Sequence, residues 1–118
     1  MSSPSNKLIE NVAKNDPSTT VIKVNEMSTR SSSNMFSKSD MDSLLVELKD
    51  NTSCEALYFY NSAIYIGDAQ LRNLGERLVS CPNIWCLFID SAESVSARAW
   101  SGFVKQLSST NITHCRLS

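Results

Sequence analysis

The sequence predicts a short α/β solenoid, with about four parallel strands on a concave side and helices on the convex side. Two observations carry this. An apolar cadence comes back three times, as Cys54-x-x-Leu57-x-Phe59, Ile84-x-x-Leu87-x-Ile89 and Ile112-x-x-Cys115-x-Leu117, with starts 30 and 28 residues apart. Amphipathic helical stretches fill the intervals, which hold one strand plus one helix and nothing more. A helix crossing between consecutive strands makes each connection parallel and right-handed, so the strands stack in sequence order.

From Asn6 to Asn15, Leu8, Ile9, Val12 and Ala13 fall at helical spacing, and Asn15-Asp16-Pro17 is a stop and turn signal. Thr19 to Asn25 is β-branched and short, and carries the cadence in weaker form as Thr19-x-x-Ile22-x-Val24. The next copy starts 35 residues later, and the excess sits in the polar stretch Ser28 to Asn34, expected to be a mobile loop. Three further helices are read from their apolar stripes. These are Met41, Leu44, Leu45 and Leu48, then Leu71, Leu74, Leu78 and Val79, then Ala99, Trp100, Phe103, Val104 and Leu107. Ser39 or Asp40, Asp68, and Ser94 or Ser96 are the expected N-caps. Gly102 inside the last helix costs about 1 kcal/mol against alanine. The expected division is a disordered N-terminus over 1–5 and one repeat domain over 6–118, self-contained or the N-terminal part of a longer solenoid.

Alternate side chains of a strand face opposite sides, so cadence positions 4 and 6 enter the core. These columns read Ile22, Leu57, Leu87, Cys115 and Val24, Phe59, Ile89, Leu117, all apolar. Cys54, at position 1, is also expected inside, where a thiol behaves as a small hydrophobe. The outward columns read Lys23, Tyr58, Phe88, Arg116 at position 5 and Asn25, Tyr60, Asp90, Ser118 at position 7, with Glu55 and Trp85 at position 2.

Composition narrows the function. A chain of 118 residues is one domain's worth, able to bury about two-thirds of the surface its unfolded form exposes. Apolar residues at 42% against 19% charged argue for a folded core rather than disorder. A net charge of −1 without a basic block excludes a phosphate-binding footprint, hence nucleic acid. No apolar run reaches the length of a membrane span and the start lacks the plan of a signal peptide, so a cytoplasmic address without membrane contact is expected. The 4 cysteines form no C-x-x-C pair and should stay reduced there, and the sequons at Asn51 and Asn111 are read as chance.

The stretch Ser80-Cys81-Pro82-Asn83-Ile84-Trp85-Cys86-Leu87-Phe88-Ile89 resembles the opening of leucine-rich repeats of the ribonuclease-inhibitor type. Leu8-Ile9-Glu10 running into Asn15-Asp16-Pro17 and the strand after it is similar to the entry of the tropomodulin and leiomodin repeat domain. Asp50-Asn51-Thr52 is similar to a turn of that family. This implies a cytoskeletal protein-binding module, with actin or another cytoskeletal protein as partner. The asparagine usual near position 9 of such repeats is absent, with Met27, Ser62 and Ala92 there.

Aromatic and arginine side chains supply much of the energy at protein interfaces. Tyr58, Tyr60, Trp85, Phe88, Asp90 and Arg116 are therefore the candidate partner-binding residues, against the alternative that the rings are covered by other protein. Cys86 and His114 share position 3 on neighbouring strands, but two ligands do not make a zinc site and no orienting third group makes them a nucleophile and base. No metal, cofactor or catalytic residue is expected. The reading is a non-enzymatic protein–protein interaction module. A structural fragment of a larger leucine-rich-repeat receptor or regulator is the alternative, and a small α/β enzyme comes third. The apolar last strand, Ile112 to Leu117, is expected to pair through its free edge, with a second copy or with further repeats.

Overall fold

The structure is a computed structural model, which describes residues 4–24 and 36–118. The expected loop at 28–34, Asn25 and Met27, and residues 1–3 of the expected disordered N-terminus lie outside the described residues. Helix α1 (Pro4–Ala13) opens two residues ahead of the expected Asn6. It ends in a Schellman turn: Asn15 adopts φ 53°, Asp16 N–H reaches Asn11 O at 3.1 Å and Asn15 N–H reaches Val12 O at 3.0 Å. Then follow β1 (Val21–Val24), α2 (Lys38–Glu47), β2 (Ala56–Phe59), a 3-10 turn (Ser62–Ile64), α3 (Asp68–Ser80), β3 (Cys86–Ile89), α4 (Ala97–Leu107) and β4 (His114–Leu117). The strands form one sheet in the order β1-β2-β3-β4, every pair parallel. The expected solenoid order is what the chain adopts.

The register matches the cadence: Ile22, Leu57, Leu87 and Cys115 are partners, as are Val24, Phe59, Ile89 and Leu117. Of these eight, the six on β1 to β3 are buried, in one core with Met41, Leu44, Leu45, Leu48, Leu71, Leu74, Leu78 and Phe103. β4 departs from the expectation. Cys115 is exposed and Leu117 only half-buried, because β4 is an edge strand and, among the described residues, only α4 lies beside it. Cys54, by contrast, is fully buried as expected, and burial pushes its thiol up to about 12.

Three stripe residues also turn outward: Ala13, Val79 and Val104, the last two about half exposed. The sequence reading missed Tyr65, whose ring is wholly buried after the 3-10 turn. It packs edge-on against Phe36 at 5.2 Å and Phe59 at 6.3 Å, and its hydroxyl donates to Tyr60 O at 2.6 Å. A buried phenol needs such an acceptor, which here is backbone freed by the bend after β2.

The helix starts differ in detail from those expected. Ser37, not Ser39 or Asp40, caps α2, and Asp40 closes a capping box with it. Ser96 caps α4 as anticipated. Asp68 is the first residue of α3 rather than its cap, and its carboxylate instead accepts from the backbone and hydroxyl of Ser96, both at 2.8 Å. Gln70 closes the start of α3, accepting from Gly67 N–H at 3.0 Å while donating to Asp42 at 3.1 Å. At the other end of α2, Arg77 Nε donates to Leu45 O, and Cys81 Sγ adds a second bond to Leu48 O, which already accepts from Asn51 N–H. The end of α2 is thus finished partly by α3, and the start of α4 by Asp68 of α3.

Asparagines lace the turns that precede the strands. Asn15 Oδ1 accepts from the backbone of Thr52 and Ser53, and buried Asn51 accepts from Cys54 N–H at 2.8 Å while donating to Val12 O at 3.1 Å. Asn83 then donates to Thr52 O and Asn111 to Pro82 O, both at 2.7 Å. A ladder of asparagine side chains therefore exists, but before the strands. After them, where asparagine was missing at position 9, backbone takes over: Ser62 and Ala92 donate to Asp90 O and Ser118 O, and the Ser62 hydroxyl adds a bond to Asp90 O.

Two outcomes are expected. Leu57→Ala or Leu87→Ala should cost about 2–5 kcal/mol in urea unfolding, as buried truncations do, whereas Cys115→Ala should stay within about 0.5 kcal/mol. The second concerns acid. Its bonds from Ser96 hold the Asp68 carboxyl below the usual carboxylate range. A lowered folded-state value means stability that is present above the unfolded carboxylate value of about 3.9 and lost as pH falls through the folded value. Asp68→Asn should therefore lower the melting temperature at pH 7, and the gap to wild type should narrow on acidification; a gap independent of pH would contradict the assignment.

Candidate functional site

The face of the sheet turned away from the helices is built by the same alternation that fills the core. With Ile22, Leu57 and Leu87 directed inward, their neighbours Lys23, Tyr58 and Phe88 must point the other way. Parallel pairing sets Lys23 beside Tyr58, Tyr58 beside Phe88 and Phe88 beside Arg116. One straight row therefore crosses all four strands.

The rings in this row touch. Tyr58 and Phe88 lie 6.2 Å apart between centroids, Tyr60 lies 5.4 Å from Phe88, and Tyr58 and Tyr60 stack with nearly parallel planes at 6.5 Å. All three are half-buried. At the ends of the row, Lys23 Nζ sits 5.8 Å from the centre of the Tyr58 ring and the Arg116 guanidinium 5.6 Å from that of Phe88. Both separations fall within cation–π range. A shallow depression of about 450 Å³ opens between Tyr58, Cys86, Phe88, His114 and Arg116.

Of the six residues singled out in the sequence, four meet in this cluster: Tyr58, Tyr60, Phe88 and Arg116. Trp85 stands at the rim, 43% exposed, edge-on against His114 at 5.2 Å. Asp90 lies past the end of β3, where its carboxylate accepts from the Ser91 hydroxyl at 3.2 Å and its carbonyl accepts from the backbone and hydroxyl of Ser62 in the turn after β2. Lys23 was read as part of the column but not as a site residue; its place opposite Arg116 follows from the register alone.

Cys86 and His114 are register partners, yet they do different things. The Cys86 thiol approaches the Tyr58 hydroxyl at 3.7 Å, while the His114 ring pairs with Trp85 and with the Thr113 hydroxyl at 3.0 Å. Among the described residues no group of three or more His, Cys, Asp or Glu is placed to hold a metal ion. No helix among them is long and apolar enough to cross a membrane.

No family model matches the sequence, and no curated protein matches it. Among solved structures the fold is similar to the actin-binding site 2 of leiomodin-1, with a TM-score of 0.64 at 12% identity, over 100% of this chain and 81% of that one. It is similar also to the tropomodulin C-terminal domain of Caenorhabditis elegans, with a TM-score of 0.64 at 14% identity, over 98% of this chain and 83% of that one. The likeness is one of fold.

The hydrogen bond with Cys86, then the charge that thiol can carry, holds the Tyr58 phenol above the usual tyrosine value. Cys86→Ala should therefore bring the Tyr58 ionisation down toward about 10, followed by NMR of the ring carbon bearing the hydroxyl. An unchanged titration would show that the two groups do not meet in solution.

Proposed function

We propose that this chain is a non-enzymatic protein-interaction module, a leucine-rich-repeat domain of the ribonuclease-inhibitor type over residues 6–118. Its partner docks on the open face through Tyr58, Tyr60, Trp85, Phe88, Asp90 and Arg116. The observation that carries this is the contact cluster of Tyr58, Tyr60 and Phe88, half-exposed on a sheet face that no helix among the described residues covers. Rings held together in this way are the kind of anchor on which interfaces depend, since they offer large area at low entropic cost. A cytoplasmic, tropomodulin-like cytoskeletal role, with actin as the partner, is the specific form of the proposal. It draws support from the likeness in fold to the actin-binding site 2 of leiomodin-1 and to the tropomodulin domain.

A second reading, the N-terminal part of a longer solenoid in a receptor or regulator, draws support from the last turn. There Trp100, Val104 and Leu117 border an open groove of about 330 Å³, and Cys115 is exposed. Another turn of solenoid, or the same edge of a second copy, would cover it.

Sedimentation with filamentous actin tests the specific form. The wild-type chain should pellet with the filaments, and Tyr58→Ser with Phe88→Ser should weaken binding by more than about 2 kcal/mol while the melting temperature barely moves. Unimpaired binding with a large fall in melting temperature would make the rings structural and place the interface elsewhere.

A further inference from the structure

We propose that the row across the open face selects an extended acidic segment, with two carboxylates four residues apart and an apolar side chain midway between them. This rests on the reading of that face as a binding surface. The row is cation, ring, ring, cation: Lys23, Tyr58, Phe88, Arg116, one from each strand. Both cations lie over the rings, and among the described residues no carboxylate pairs with either. The rings thus hold them in position, and no described carboxylate neutralises their charge.

Spacing narrows the ligand. Three strand-to-strand steps of about 4.8 Å set the Lys23 and Arg116 backbones about 14 Å apart, with both side chains leaning inward toward the rings. An extended peptide rises about 3.3 Å per residue, so its residues i and i+4 are about 13 Å apart, and i, i+2 and i+4 share one side. Laid across the strands, such a segment sets acidic residues i and i+4 against the two cations and residue i+2 on Tyr58 and Phe88. The flanks narrow the lane: Glu55 stands on the N-terminal side of the row and Asp90 on the other, so an acidic segment displaced to either side meets like charge.

The test uses a labelled, end-blocked heptapeptide, Ser-Glu-Ser-Leu-Ser-Glu-Ser, titrated with the whole chain by fluorescence anisotropy in low salt. The same peptide with glutamine for both glutamates, and one with lysine for both, are the comparisons. The acidic probe should bind at least tenfold more tightly than the glutamine probe, and lose that advantage at high salt. Lys23→Glu with Arg116→Glu should abolish its binding and favour the lysine probe, with an unchanged circular dichroism spectrum. Equal binding of the acidic and glutamine probes, both weakened by Tyr58→Ser with Phe88→Ser, would overturn the charge rule and leave the binding face standing. Indifference of every probe to all four substitutions would overturn both.

Discussion

Parallel pairing in a single register is the constraint on which everything else in this molecule depends. Strand side chains alternate with a period of two, so one choice of register settles two surfaces at once. With Leu57 beside Leu87, the inner columns close into a core of branched and aromatic side chains. With the same choice, Tyr58 must stand beside Phe88 on the other side. A slip of one residue would send Lys23 and Tyr58 into the core and lift Ile22 and Leu57 out of it. The binding face is therefore not an addition to the fold, but the other side of its core.

Four-residue strands are too short to enforce that register by backbone bonds alone. The turns on either side do much of the aligning. Before the strands, Asn15, Asn51, Asn83 and Asn111 tie each turn to its neighbour, and Asn83 and Asn111 bond to equivalent points one repeat back. After the strands, Asn61 and Ser91 both take a left-handed backbone, φ 50° and 60°, so that the following residues can donate to backbone just past the end of the next strand. The repeat is thus pinned at both ends, and the rings on the open face inherit their spacing from those pins.

Much of this was legible in the sequence because a cadence of apolar residues reports burial directly. It located all four strands, their order, and six of the eight inner residues. It failed at Cys115, where the pattern persists but the covering helix does not, and at Tyr65, which lies in a bend outside any period. The rings of the candidate site were visible as outward positions, yet their mutual contact was not, because it depends on side-chain directions that spacing does not encode. The pre-strand asparagine ladder was missed for a related reason. Asn83 and Asn111 read as ordinary turn residues until the stacking of repeats brings each against the turn before it.

The most direct test of the central claim is NMR detection of hydrogen bonds across the sheet in isotopically labelled protein, together with ring-to-ring proton contacts. The account predicts through-bond couplings from the Tyr60 amide to the Val24 carbonyl, from Asp90 to Phe59 and from Ser118 to Ile89, with the Tyr58 and Phe88 rings in contact. Couplings displaced by one residue, or Tyr58 in contact with the core leucines instead of Phe88, would contradict it.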